Sequence, residues 1–576
     1  MRTLFVLCLM AVVSACGSAG PSEPPPLREV TKTPAEQRFK RMADEFYWAH
    51  FAAHPHEAVQ LGYHQYDGKV FDPSPQAIHA MIDMYRRTRD RISAIPAGEL
   101  SAQSRVERDV LLTAIRSVLF DVDIQAMWRR NPIYYMDALS LQPYVIRDYA
   151  PAAERAQAII ATCEAAGPYL DQVQKNLSGP MPRTWLATGL LMSNGTIEFA
   201  KTDVRTAMAG LAPQLSTQLN AGLDKCVAAL QRFSAFLQAS MASANDDYAL
   251  GETRFLRMLR DKEGIHISLD QLSALSEADL ARNLKQVESA AARIDRKREA
   301  RAVFLAVKDE KPAASRVLAE ATRMANEQRQ FLIDKDIVSI PSGDPFEVRE
   351  SPPFLRWNSA FLNSAGAFEK KALPSIYYIS PPDPSWPEAQ QRGYIPSFGD
   401  LWSTTAHEVW PGHFLHRLHI KSNRSKILKS FCTYSMSEGW AHYIEELMWT
   451  EGAGKGNPKL HLGQLGDALL RNVRFKSALA LHIQGATADQ SQAWFEELAF
   501  LDERNAIQQA NRGTFDPGYL NYTLGKLIIM KLRDDWRAKM GDQYSLRAFH
   551  DTFLSYGCAP LPVIRREMVG DAGALL

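Results

Sequence analysis

Helical periodicity sustained over more than half of the chain sets the tightest limit on how this sequence can fold. From about residue 33 to residue 340, apolar residues return every three or four positions, the spacing that lays an apolar stripe along an α-helix. The clearest stretches are 36–51, 75–95, 104–127, 152–176, 201–241, 268–300 and 311–334. Strict alternation, the mark of a half-buried strand, is scarce. The chain has 576 residues, 46% hydrophobic and 23% charged, enough apolar material for a large core and far from the composition of disorder. Its 66 Lys and Arg against 65 Asp and Glu leave a formal charge of +1, so no net field draws nucleic acid or an anionic membrane, and no nucleic-acid partner is expected.

The pattern changes near Pro341, where closely spaced prolines stop helices. Residues 375–380, Ser-Ile-Tyr-Tyr-Ile-Ser, are β-branched and aromatic and bracketed by proline, which predicts a strand. It stands shortly before the chemistry-bearing motif, where an edge strand could pair with an extended substrate. Helices resume at about Ser403. The expected division is a helical region over 34–340 and a metal-site region over 341–576, the two forming one catalytic unit.

At the N-terminus, Arg2 precedes an apolar run over 3–13 and small residues ending at Cys16, the pattern of an export signal over 1–16. Val13-Ser14-Ala15-Cys16 resembles the bacterial lipobox, which marks Cys16 for acylation. Residues 17–33, with Gly20, Pro21, Pro24, Pro25 and Pro26, read as a tether. The apolar run is too short for a membrane span, so membrane contact is expected through the lipid alone. Gly17 in place of Asp points to the outer membrane and a periplasm-facing protein of the cell envelope. Once Cys8 is removed and Cys16 acylated, Cys163, Cys226, Cys432 and Cys558 remain without a C-x-x-C pair, which excludes a zinc-thiolate site. Both one disulfide and buried free thiols stay open.

Residues 405–416 read Thr-Ala-His-Glu-Val-Trp-Pro-Gly-His-Phe-Leu-His. In H-E-x-x-H, two His one turn apart clasp zinc while the Glu serves as general base. His407 and His413 are six positions apart, about 240° around a regular helix, so an undistorted helix fails. Pro411-Gly412 offers a remedy by looping out, because proline and glycine disrupt helical turns. A bulged helix then presents His407 and His413, with Glu408 as the base. His416 and His419 rank below them, lacking a neighbouring Glu. Downstream, Ser437-Glu438-Gly439-Trp440-Ala441-His442-Tyr443-Ile444-Glu445 supplies Glu438 as third ligand, leaving one position open for water. Glu445, seven residues on and on the same helix face, suits a partner to a metal-bound His.

These residues resemble the bacterial family known as domain of unknown function 885, whose motif runs H-E-x-x-P-G-H-H-L-Q and then E-G-W-A-x-Y-x-E. Here Phe414 replaces the second paired His, and His416 the Gln. The resemblance extends to Leu532-Arg533, Ala548-Phe549-His550-Asp551, Gly557 and Pro560-Leu561, and more weakly to Tyr47 through Asp72, and so spans nearly the whole mature chain. That family is similar in turn to the helical zinc carboxypeptidases and oligopeptidases of the carboxypeptidase Taq group. The resemblance implies a mainly α, zinc-peptidase-like fold with a deep cleft and a small β-element near the metal helix, holding one zinc ion.

Residues 518–525 resemble the Taq group's G-Y-F-P-T-Y-x-L-G run, which makes Tyr522 a candidate oxyanion donor and Tyr519 a candidate substrate contact. Arg474 to His482 keep the outer residues of the relatives' R-x-x-x-D-T-G-x-H, with Ala478 and Ala480 replacing Asp and Gly. Arg474 is therefore a candidate clamp for a substrate carboxylate and His482 a further contact, with Arg504 a weaker alternative. The expected activity is a zinc metallopeptidase acting on peptides, a carboxypeptidase or oligopeptidase. Its alternatives are a hydrolase of other amides or esters, and a lipid-anchored binding protein with a decayed site.

Overall fold

The amphipathic stripes become helices whose starts carry their own capping residues. Thr33 accepts from the Glu36 N–H at the head of α1 (Pro34–Ala53), Ser74 from Ala77 before α2 (Pro75–Ser93), and Ser101 from Ser104 before α3 (Ala102–Leu119). Each side chain satisfies an amide that no helical carbonyl can reach. The computed structural model describes residues 33–352, 356, 359–570 and 573–576. The signal segment 1–16, Cys16 and the tether up to residue 32 lie outside the described residues.

Helix α4 (Ala152–Asn176) has the bounds read from the sequence. The stretch 201–241 does not form one helix: α5 (Arg183–Lys201), which carried no clear stripe, ends where that stretch begins, and α6 (Pro213–Ser240) restarts only at Pro213. Proline, lacking an amide hydrogen, is favoured in the first turn of a helix, although α4 carries Pro168 in its interior. Helices α7 (Leu269–Ala292) and α8 (Val317–Asp334) complete the N-terminal half, with shorter helices between. One apolar cluster runs without a break from Ala35 to Met568, so both halves share a core. The fold is mainly helical, 71% helix against 3% strand. No helix among the described residues is long and apolar enough to cross a membrane.

The proline-rich segment builds a small sheet from β1 (Phe346–Glu350), β2 (Ala360–Asn363) and β3 (Ser375–Ile379), in the order β1-β3-β2. Strand β3 runs parallel to β1 and antiparallel to β2. The predicted strand therefore exists but is central, not an edge. All five of its residues are buried, and a strand so enclosed needs hydrogen-bonding neighbours on both sides.

After the sheet come α9 (Phe398–Glu408), α10 (His413–Ser422), α11 (Tyr434–Thr450), α12 (Pro458–His482), α13 (Glu503–Phe515) and α14 (Asn521–Met540). Helices α11 and α14 cross backbone to backbone. A Cβ on Gly525 would lie 2.2 Å from the Ser435 carbonyl oxygen, and one on Gly439 would lie 2.6 Å from Gly525 Cα. Gly525→Ala is expected to cost about 3 kcal/mol, because the obstruction is backbone that cannot swing aside. Urea unfolding measures it, and an unchanged midpoint would mean the helices part without penalty. A disulfide joins Cys432 to Cys558, while Cys163 and Cys226 are buried free thiols.

Candidate metal centre

The H-E-x-x-P-G-H segment solves its six-residue spacing by breaking the helix. Helix α9 ends at Glu408 and α10 begins at His413, with Val409 to Gly412 forming an excursion between them. The interruption is wider than the two-residue loop expected from Pro411-Gly412. Gly412 lies so close to its own upstream turn that a Cβ there would stand 1.7 Å from the His407 carbonyl oxygen. Trp440 fastens the excursion by donating its indole N–H to the Pro411 carbonyl at 3.0 Å. The two imidazole rings thereby come to 4.7 Å, nearly perpendicular.

The same geometry accounts for the Glu-Gly-Trp triplet. Glu438 faces the histidines, Gly439 permits the crossing with α14, and Trp440 pins the broken helix. Glu438 Oε2 stands 3.4 Å from His407 Nε2 and 3.3 Å from His413 Nε2, yet it has no well-formed hydrogen bond and is buried. All three donor atoms lie within 4.8 Å of one another. Two nitrogens and a carboxylate oxygen converging without bonding one another is the arrangement a divalent cation satisfies. Burial opposes the charge on Glu438, but His413 and His407 outweigh it and hold the carboxyl well below its usual range. The donor set fits zinc: nitrogen and oxygen ligands, three in number.

Glu445 takes the place foreseen for it, accepting from His407 Nδ1 at 2.6 Å, so that Nε2 is left to face Glu438. It also accepts from His442 Nδ1 at 3.1 Å and pairs with Arg471 at 3.1 Å. Arg471 reaches Asp467 as well, at 3.2 Å. Glu445→Ala is expected to weaken zinc binding about 10- to 100-fold by releasing the His407 ring, readable by competition against a zinc-binding dye. Unchanged affinity would show that the ring is held without it.

Glu408 sits beside the histidines and accepts the Leu362 N–H from β2 at 2.9 Å. Burial lifts its carboxyl above the ordinary range against the pull of His407 and His413, with Glu438 adding to the rise. Such a group is poised nearer neutrality, where a general base works best.

Tyr522 opens α14 with its ring 6.3 Å from that of His407 and close to parallel to it. The guanidinium groups of Arg471 and Arg474 lie over this ring at 5.5 and 4.9 Å. Arg474 donates through Nε to Gln509 at 2.9 Å. Arg512 donates to the Tyr434 hydroxyl at 2.8 Å, and that phenol in turn bonds Asp516 at 3.1 Å.

Tyr519, expected as a substrate contact, is fully buried with its hydroxyl against Gly513, because the turn before α14 directs it into the core while Tyr522 faces the histidines. It is a packing residue. His482 is likewise buried, its Nε2 bonded to the Gly513 carbonyl at 2.7 Å, at the wall of a cavity lined also by Trp185 and Tyr248. Arg504 lies at the exposed surface over Trp386. His416 and His419 bond the carbonyls of Gly557 and Ser339, away from the cluster. Phe414, which departs from the family motif, packs against Phe346 and Trp410.

Sequence reasoning missed Arg471, Tyr434 and Arg512. Arg471 carried a usable signal, standing one turn before Arg474 on the same helix face. The other two are brought in by separate helices, and nothing in their local sequence announces it.

Fold and site together define a helical protein with a preassembled His–His–Glu donor cluster and a buried carboxylate beside it. The chain belongs to the family described as bacterial protein of unknown function (DUF885), which matches residues 55–568. Two solved structures share the fold. One, described as a lipoprotein of unknown function from Shewanella oneidensis, has a TM-score of 0.76 at 20% identity, covering 92% of this chain and 99% of that one. The other, described as a lipoprotein from Colwellia psychrerythraea, has a TM-score of 0.80 at 17% identity, covering 93% and 98%. No curated protein matches the chain.

Proposed function

We propose that this chain is a zinc-dependent metallopeptidase, zinc-peptidase-like in fold with a cleft between its helices, anchored to the cell envelope through an acylated Cys16. The observation that carries the reading is the unsatisfied Glu438 Oε2 between two imidazole nitrogens, with the Glu408 carboxylate alongside. The lipoprotein descriptions of the two structural relatives support the anchor, and an outer-membrane position facing the periplasm accords with Gly17.

A single zinc held by His407, His413 and Glu438 would acidify water toward a pKa of about 7 and polarise a substrate carbonyl. Around it, Glu408 takes the proton from the attacking water and returns it to the leaving amine. Tyr522 is placed beside His407 to donate to the developing oxyanion, and the cations over its ring favour its presentation there. Glu445 keeps His407 in the tautomer that offers Nε2. The β2 strand, whose Leu362 amide is tied to Glu408, gives an extended peptide a backbone to lie against.

Elemental analysis of the purified protein, followed by mass spectrometry of a mixed peptide pool, tests the proposal. About one zinc per chain with zinc-dependent cleavage supports it. A folded protein that takes up no metal when zinc is supplied overturns it.

A further inference from the structure

We infer that Arg417 is a receptor for a substrate carboxylate, so that the cleft accepts the free C-terminal end of a peptide and the chain acts as a carboxypeptidase. The inference deepens the metallopeptidase reading and rests on it. Arg417 stands on α10 one turn beyond His413 and lines a cavity of about 460 Å³ shared with Leu362, the residue whose amide bonds Glu408.

The other charged groups on this cavity are already engaged. His64 is paired with Glu369 at 3.1 Å, Lys421 with Asp344 at 2.5 Å, and Glu57 with His50 at 3.2 Å. Arg147 donates to Asn363 and to the Pro374 carbonyl. Among the described residues, Arg417 has no carboxylate within ion-pair distance and no hydrogen-bond acceptor. Burial works against its charge, and the nearby Glu438 is what offsets it. A guanidinium kept partly from water and left unpaired at a cavity wall is a costly arrangement, which an incoming carboxylate relieves by two parallel hydrogen bonds.

The geometry suits a terminal carboxylate in particular. One turn of α10 advances about 6 Å from His413 to Arg417. An extended residue advances about 3.5 Å, so the terminal carboxylate beyond a scissile carbonyl at the histidines falls within reach of a flexible Arg side chain. In the hydrolysis, the water oxygen bonds to the carbonyl carbon, the C–N bond breaks, and the amine of the last residue takes the proton passed by Glu408. One free amino acid leaves. Arg474, the clamp expected from the sequence, donates through Nε to Gln509 and lies over the Tyr522 ring.

The test uses the zinc-loaded protein, its Arg417→Ala and Arg417→Lys variants, a pool of N-acetyl tripeptides with free C-termini, and the same pool as C-terminal amides. The expected result is loss of the last residue from the free acids about 100-fold faster than from the amides. Arg417→Ala lowers cleavage of the free acids far more than that of the amides and so removes the preference, with zinc content unchanged, and Arg417→Lys restores part of it. Equal cleavage of both pools by the parent, or an equal loss on both in Arg417→Ala, overturns the assignment. If the parent cleaves neither pool, the peptidase reading fails separately, and thermal stabilisation by the two pools decides on Arg417. Stabilisation by the acids alone, lost in Arg417→Ala, sustains the carboxylate receptor, whereas no difference between acids and amides rejects it.

Discussion

Glu408→Gln is expected to lower peptide turnover about a thousandfold or more while leaving one zinc per chain. The substitution keeps the size of the side chain, and its amide oxygen can still accept the Leu362 N–H that the carboxylate accepts at 2.9 Å. What it removes is the ability to take a proton, a contribution of about 10²- to 10⁴-fold for general acid–base catalysis. Burial already lifts Glu408 toward its neutral form, so a neutral amide in its place costs the fold little. Steady-state rates and elemental analysis on the same preparation read both halves of the result. Full activity in the variant would remove Glu408 from the chemistry, and loss of zinc would show that it shapes the ligand set.

The second large effect is expected from His413→Ala, which should take bound zinc from about one per chain to none. His413 is the first residue of α10 and its side chain is 16% exposed, so truncation there leaves the hydrophobic core intact. Two remaining donors, His407 and Glu438, do not make a zinc site of useful affinity. The loss also appears in melting. Zinc at a thousand times its dissociation constant stabilises the native state by about 4 kcal/mol, and the variant should show no such zinc-dependent rise. Retained zinc would require a replacement ligand, and His416, bonded to Gly557, would have to leave its carbonyl to become one.

Much of this architecture could be read from residue order because the signals are local. The helix α4 announces itself by its own stripe, and Ser74 and Ser101 mark helix starts through bonds made within three residues. His407, Glu408 and His413 were legible because the spacing of the two histidines violates helix geometry in a way that a Pro-Gly interruption repairs, and Glu438 because a downstream Glu-Gly-Trp run offers the third ligand. Glu445 followed from helix phase alone. The rest depended on where distant segments meet. Whether the strand at 375–379 lies at an edge or in the middle is decided by β1 and β2, which its own residues cannot reveal. Tyr519 and Tyr522, three residues apart, differ in fate because one lies in a tight turn against Gly513 and the other at the head of α14. Arg417 and Arg474 look alike in sequence, and only the structure shows that Arg474 donates to Gln509 while Arg417 lines a separate cavity.

The Cys432–Cys558 bond joins positions 126 residues apart, and Cys432 precedes α11, the helix that presents Glu438, by two residues. Thiols of this kind stay reduced in a bacterial cytoplasm and oxidise beyond it. For an exported chain, the segment leading into the Glu438 helix is therefore tied to the C-terminal region only after translocation. Biosynthesis of such a chain then has an order in which crossing the membrane precedes the cross-link between these two segments.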